Sequence, residues 1–401
     1  MSSNTDLPVL INRTPVSAET REWLEKIAGI TPVIEKFRDE AERERRMPVP
    51  VFEALSAAGI HRMVVSKEFG GSQVALGTSG AVLTALARVD ASVAWQMGVQ
   101  AAIARFSDYL PEASSRELFR DQHALVIGSV NPTGRAEAVP GGYRLSGRWG
   151  FASGSAHAEW FVSAAVVTED GQPRRTPAGG PDIRMLFVPR SQVEMLDTWY
   201  TLGLRGTGSE DYRIEDVFVA DEYVVDIAAM VAAPPARPSR AYAISYYDWG
   251  LFGTAATALG IAQGALTAFK AFAGGKTPAM GLSTLAAGHV TQERVGRAEI
   301  LVRSARLLLE DAAWHASEHG QDGGDALSAM LRLSASTIAE NSSAAVDLLF
   351  RLAGSSSIYA DSPMERYFRD MHSAEKHITV SPTNIEMAGQ YLLGGGLQVR
   401  R

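Results

Sequence analysis

The chain has 401 residues, 46% hydrophobic and 21% charged, the balance of a globular protein long enough for two or three packed domains. Its 38 Lys and Arg against 45 Asp and Glu leave a net charge of −7 with no basic block, which argues against nucleic acid and against an anionic membrane surface as the main partner. There is no cysteine, so disulfides, thiolate metal sites, iron–sulfur clusters and a cysteine nucleophile are excluded.

The first ten residues, MSSNTDLPVL, lack the basic start and apolar run of a signal peptide, and a cytoplasmic protein is expected. From Ala18 to Arg46, Trp23, Leu24, Ile27, Ile30, Val33, Ile34 and Phe37 recur at intervals of three and four, one face of a helix, until Pro48 and Pro50 break it. A short helix over Val51–Ala58 ends at Gly59. Thr78–Ala104 reads as a second long helical stretch and Glu112–Asp121 as a shorter one.

Near Leu125 the pattern changes to alternation with recurrent turn residues. Pro140-Gly141-Gly142 marks a hairpin, and WFVSAAVV, IRMLFVP and YRIEDVFVA are rich in strand formers. Seven or so short strands at this spacing predict a compact β-barrel or sandwich. Ala232–Arg240 is Pro-rich and reads as a linker. Beyond it, Tyr246–Phe272, Leu282–Glu318, Ala326–Ala353 and Met364–Thr379 predict a four-helix bundle. The expected order is a helical domain over 1–124, a middle β-barrel over 125–231 and a C-terminal bundle over 232–401, an α+β chain that is mainly α. Trp249–Phe269 carries no charge and is long enough to span a bilayer, but its Gly, Thr and Gln content fits a helix buried inside the bundle, and no membrane partner is expected.

Several chemistries lack their motif. There is no GxGxxG after a strand, no GxxxxGK[ST] and no GxSxG. His372 and His377 lie about 140° apart on a helix and cannot share a metal, whereas His315 and His319 share a face but read as a solvated pair at a helix end.

Four phrases carry the informative signal: GIHRMVVSKEFGG (59–71), GRWGFASGSAHAEW (147–160), WYTLGLRGTGSEDYRIEDVFVA (199–220) and FRLAGSSSIYADSPMERYFRD (350–370). In this order and at these separations they resemble the acyl-CoA dehydrogenase superfamily over almost the whole chain. The resemblance implies an N-terminal helical domain, a middle β-barrel and a C-terminal four-helix bundle, with a flavin between barrel and bundle and a homotetramer whose cofactor site borrows from a neighbour.

It also implies site residues. Ser153 and Gly154 fall where the family places a hydroxyl and backbone amides near the flavin N5, although Ser153-Gly154-Ser155 is by itself equally a polar turn. Ser129 and Asn131 fall at a second strand loop touching the ring. Ser355 and Ser356 replace a Gly-rich turn at the phosphate end of the cofactor. Trp95 falls on a helix lining the substrate pocket, where a large aromatic fits a flat substrate, and His157 could reach the pocket rim.

A dehydrogenase of this family needs a carboxylate base, usually about nine residues after its Arg-Asp pair. Counting from Arg369-Asp370 leads to His377-Ile378-Thr379, with Glu375 and Glu386 off register. Arg-Asp-x-His-x4-His instead resembles the oxygenase branch, which takes reduced FMN or FAD from a separate reductase, forms a C4a-hydroperoxyflavin with molecular oxygen and transfers one oxygen atom. His377 is the expected active-site histidine and His372 the second candidate. The family's Arg before a Phe-Gly pair, a clasp for the FAD diphosphate, has no match near Gln292–Arg297, which favours reduced FMN. The expectation is a two-component monooxygenase acting on a small aromatic, or at nitrogen or sulfur. An acyl-CoA dehydrogenase or oxidase with FAD, or a non-catalytic ligand-binding relative of the fold, are the alternatives.

Overall fold

The computed structural model describes residues 16–120, 124–231, 243–279, 281–320 and 322–397. Five helices come first: α1 (Ala18–Glu44), α2 (Val49–Ala57), α3 (Leu76–Val89), α4 (Ala91–Ala104) and α5 (Glu112–Phe119). α1 begins at Ser17, whose hydroxyl accepts the Thr20 N–H, and it buries Trp23, Ile27, Ile34 and Ala41 along one face. The expected single helix over Thr78–Ala104 is two. Asp90 leaves the helical conformation (φ −151°, ψ 118°), closes α3 and caps α4 by accepting the Val93 N–H.

Eight strands follow: β1 (Leu125–Val139), β2 (Gly142–Ala152), β3 (Ala158–Glu169), β4 (Gln172–Pro173), β5 (Ile183–Pro189), β6 (Glu194–Leu196), β7 (Glu210–Ala220) and β8 (Val224–Asp226). They form one sheet in the order β6-β7-β2-β1-β3-β5-β8, with β4 on β3. The predicted hairpin forms with a two-residue loop, Val139 facing Gly142, and Gly141 adopts a left-handed conformation (φ 79°) in the turn. The sheet curls on itself. The Tyr212 hydroxyl on β7 meets Ser163 Oγ on β3, 2.8 Å away and three strands distant, and the rings of Trp149, Phe161 and Tyr212 fill the inside. β1 loses register with β3 between Ser129 and Gly134, a bulge that carries exposed Asn131 outward.

The C-terminal helices are α6 (Tyr246–Gly275), α7 (His289–His319), α8 (Gly324–Ala353), α9 (Pro363–Ala374) and α10 (Thr383–Leu392). The proposed linker at Ala232–Arg240 lies outside the described residues. α6 is long and apolar enough to cross a membrane, yet most of it is buried, packed by α3, α4, α7, α8 and α9. Its glycines explain the close fit. A Cβ on Gly260 would stand 2.4 Å from the Thr84 carbonyl oxygen of α3, and one on Gly264 would stand 2.6 Å from the Tyr367 ring of α9. The fourth bundle helix is shorter than its sequence pattern implied. It stops at Ala374, and His377 sits beyond it in extended backbone (φ −74°, ψ 140°), opening a short turn over Ile378–Val380.

Candidate active site

α4 brings the two halves of the site together through neighbouring residues. The Trp95 ring meets the His377 ring edge-on, 5.4 Å between centroids. Gln96, the next residue, faces the barrel, where its Nε2 donates to the Gly206 carbonyl at 3.1 Å. Its Oε1 is buried beside Gly154 with no hydrogen-bond partner.

His377 is held by its own turn. The Thr379 N–H donates to Nδ1 (3.3 Å), and the Thr379 hydroxyl lies 2.8 Å from the same nitrogen and 2.8 Å from Thr254 Oγ1 on α6. The Thr379 N–H asks Nδ1 to accept, while the Thr379 hydroxyl, which gives its proton to Thr254 Oγ1, asks Nδ1 to donate, so each neutral tautomer satisfies one of the two contacts. The ring is enclosed by protein atoms yet keeps exposed surface, as a side chain lining a cleft does. Burial alone lowers its pKa to about 4, since a charged imidazolium there would lose its hydration. At neutral pH the His377 ring is uncharged.

The barrel side is built by the end of β2. Phe151 adopts a left-handed backbone (φ 64°) and leaves its ring 74% exposed, a conformation and an exposure that packing within the chain does not require. The sequence alone assigns Phe151 no role; its signal is a large aromatic two residues before Ser153. Ser153 is buried, with Oγ 2.6 Å from Ser209 Oγ. The amides expected to serve the cofactor are already engaged: the Ser153 N–H donates to Phe151 O, and the Gly154 N–H donates to Thr207 O. Gly154 therefore matters for its backbone. At φ 89° its Cβ would press to 3.0 Å on Leu125. Ser129 is buried on β1 just before the bulge that exposes Asn131.

Two expectations do not survive the geometry. His372 has both ring nitrogens engaged, Nε2 at 2.9 Å from Asp347 and Nδ1 at 3.1 Å from Glu375, with Phe368 against the ring; it ties α9 to α8 and does not join Trp95. His157 is not at a pocket rim. Its ring stacks on Phe52 of α2 (4.3 Å) and its Nε2 lies 2.9 Å from the Met47 carbonyl, so it fastens the N-terminal helices to the barrel. Ser355 and Ser356 lie in the turn after α8, outside the group around Trp95, with Ser355 exposed. The nearby carboxylates also face elsewhere: Glu375 bonds His372 and Lys376, and Glu386 is exposed on α10. Among the described residues no three potential ligands gather for a metal.

The residue types present are ones a flavin can use: Phe151 and Trp95 offer flat apolar surface, Ser153, Ser129 and Asn131 polar groups, and Gln96 Oε1 a buried acceptor that lacks a donor.

Comparison with known proteins agrees. Models of the acyl-CoA dehydrogenase N-terminal and C-terminal domains match residues 17–113 and 252–382. The oxygenase component of an FADH2-dependent resorcinol hydroxylase from Rhizobium sp. is 30% identical, over 96% of this chain and 98% of its own. The oxygenase component of p-hydroxyphenylacetate 3-hydroxylase from Acinetobacter baumannii is 28% identical, over 92% and 89%. The solved structure of XiaF from Streptomyces sp. in complex with FADH2 and glycerol has the same fold, with a TM-score of 0.89 at 23% identity over 97% of this chain and 99% of its own. A neutral imidazole where a carboxylate base was required, on a scaffold matched from end to end by such relatives, leads to one assignment: the chain belongs to the acyl-CoA dehydrogenase superfamily, in the branch of flavin-dependent monooxygenase oxygenase components.

Proposed function

We propose that this protein is the oxygenase component of a two-component monooxygenase that hydroxylates a small aromatic compound, a phenol first among the candidates, with reduced flavin delivered by a separate reductase. When bound, the reduced flavin supplies the two electrons with which one atom of dioxygen enters the substrate and the other leaves as water. FADH2 is named for the resorcinol hydroxylase and for XiaF, which weights the cofactor towards FAD.

The observation that carries the reading is His377. Uncharged at neutral pH, the imidazole can hydrogen-bond an oxygen of the reacting pair without setting a fixed charge beside an electron-rich ring. A dehydrogenase would need a carboxylate base at this place. Trp95 forms a flat wall against His377 and orients a planar substrate. Ser153, Ser129, Asn131 and Phe151 would hold the flavin ring, and Ser355 and Ser356 would meet the phosphate end of a neighbouring subunit's cofactor.

That arrangement calls for a homotetramer. Exposed Ile300, Leu307 and Trp314 on α7, spaced by seven residues with exposed Val290 before them, supply an apolar stripe for subunit contact.

The test is a single turnover. Protein loaded anaerobically with FADH2 and a phenol is mixed with 18O2, and the product is examined by mass spectrometry. One incorporated 18O supports the proposal. Quantitative hydrogen peroxide with unaltered phenol, together with bleaching of bound FAD by an acyl-CoA, would establish the dehydrogenase reading instead.

A further inference from the structure

Ser153 does not stand alone. Three buried hydroxyls form a row: Thr207 Oγ1 lies 2.6 Å from Ser209 Oγ, and Ser209 Oγ lies 2.6 Å from Ser153 Oγ. Thr207, Ser209 and Ser153 are each at most 2% exposed. The row ends inward on a backbone carbonyl, with Thr207 Oγ1 2.8 Å from Leu204 O. Leu204 is itself fixed in a left-handed conformation (φ 53°), its N–H donating to the buried carboxyl of Asp370 at 2.7 Å.

This row has a direction. A hydroxyl has one proton to give. The Leu204 carbonyl can only accept, and two oxygens 2.8 Å apart without a proton between them would repel, so Thr207 donates to Leu204 O. Its proton thus engaged, Thr207 must accept from Ser209. By the same count Ser209 must accept from Ser153. The Ser153 proton therefore points into the protein, and any further partner of its oxygen must be a donor.

On reduction the flavin N5 changes from a hydrogen-bond acceptor to an N–H donor. We propose that Thr207 and Ser209 set the hydrogen-bond polarity of Ser153, leaving it an acceptor towards the site, and that the protein thereby binds reduced flavin in preference to oxidised flavin. The inference rests on the reading that Ser153 faces the N5 edge. Thr207 and Ser209 are positioning residues, acting through Ser153, and the device suits a protein that must capture reduced flavin from a partner and let the oxidised form go.

Thr207→Val tests it without altering Ser153. With the methyl in place of the hydroxyl, Ser209 loses its acceptor, turns its proton to Ser153, and frees the Ser153 proton to point outward at an acceptor. Dissociation constants for oxidised FAD, by fluorescence quenching, and for FADH2, by anaerobic titration, are measured for wild type, Thr207→Val, Thr207→Ser, Ser209→Ala and Ser153→Ala. One hydrogen bond gained on one side and lost on the other, at about 1 kcal/mol each, shifts the ratio of oxidised to reduced Kd by about 30-fold towards the oxidised form in Thr207→Val and Ser209→Ala. Thr207→Ser keeps the hydroxyl and the wild-type ratio. A general loosening of the turn weakens both forms alike and leaves the ratio unmoved, which overturns the proposal. If Ser153→Ala shifts the ratio while Thr207→Val and Ser209→Ala do not, the polarity device fails and the N5 reading of Ser153 stands. If Ser153→Ala changes neither constant, that reading fails and takes the device with it.

Discussion

Replacing Asp370 by asparagine should remove one loss of stability that accompanies rising pH. Asp370 is 5% exposed and accepts the Leu204 N–H. Burial raises its pKa from 3.8 to about 7; Asp90 and Glu42 push the same way, while the Leu204 N–H and Arg369 pull it back. An acid whose folded pKa is raised binds more protons folded than unfolded. Its contribution is complete below the unfolded pKa and is lost as pH rises through about 7. Roughly three units at about 1.4 kcal/mol each amount to ~4 kcal/mol withheld by pH 8. Asparagine keeps an acceptor for Leu204 and carries no charge, but its amide protons need partners, a cost of about 1–2 kcal/mol. The variant should thus exceed wild type by about 2–3 kcal/mol at pH 8, and the difference should shrink and change sign towards pH 5. Urea unfolding followed by circular dichroism at fixed protein concentration, at half-unit steps from pH 5 to 8, gives the comparison. Parallel curves for the two proteins would refute the reasoning, because they would mean that Asp370 is ionised throughout the range.

Other consequences are as definite. His377→Ala should lower hydroxylated product by about 10²-fold or more in single turnovers while FADH2 affinity stays within about twofold; equal product yields would remove His377 from the chemistry. Since burial depresses the His377 pKa to about 4, product yield with pre-reduced flavin should be level from pH 8 to about 5 and fall only as the ring protonates near 4, whereas an inflection near 6.5 would contradict its enclosure. Gly260→Ala in α6 would gain about 1 kcal/mol of helix propensity on an open surface, yet here its Cβ meets the Thr84 carbonyl, and a net loss of about 1–3 kcal/mol is expected in thermal or urea unfolding. Leu307→Glu on the exposed face of α7 should split the assembly into smaller species by light scattering, while an unaltered mass would place the subunit contact elsewhere.

The large elements were readable because their signals are local. The α6, α7 and α8 stretches announced themselves by length and period, and Pro140-Gly141 marked its own turn. Asp90 was readable too: an Asp before Ala-Ser-Val is an N-cap signal, and unbroken apolar periodicity on both sides concealed it. The departure of His377 from helical conformation was harder, since its neighbours Lys376 and Glu375 favour helix and the turn is held by Thr254, more than a hundred residues away. The fates of His372 and His157 depended on Asp347 and on Phe52, partners supplied by packing and by no pattern in the sequence. The same is true of the Thr207–Ser209–Ser153 row, whose members lie up to 56 positions apart and meet only because β2 and β7 pair.

Trp95 and Gln96 are adjacent in the chain and reach different partners, Trp95 the His377 ring and Gln96 the barrel turn at Gly206. The helix is thus a partition with separate duties on its two sides. With Trp95 as the substrate wall proposed above, exchange at position 95 would reshape what the enzyme accepts while Gln96 keeps its bond to the barrel. A lineage built on such a partition can diversify its substrates one residue at a time without relearning how to manage oxygen.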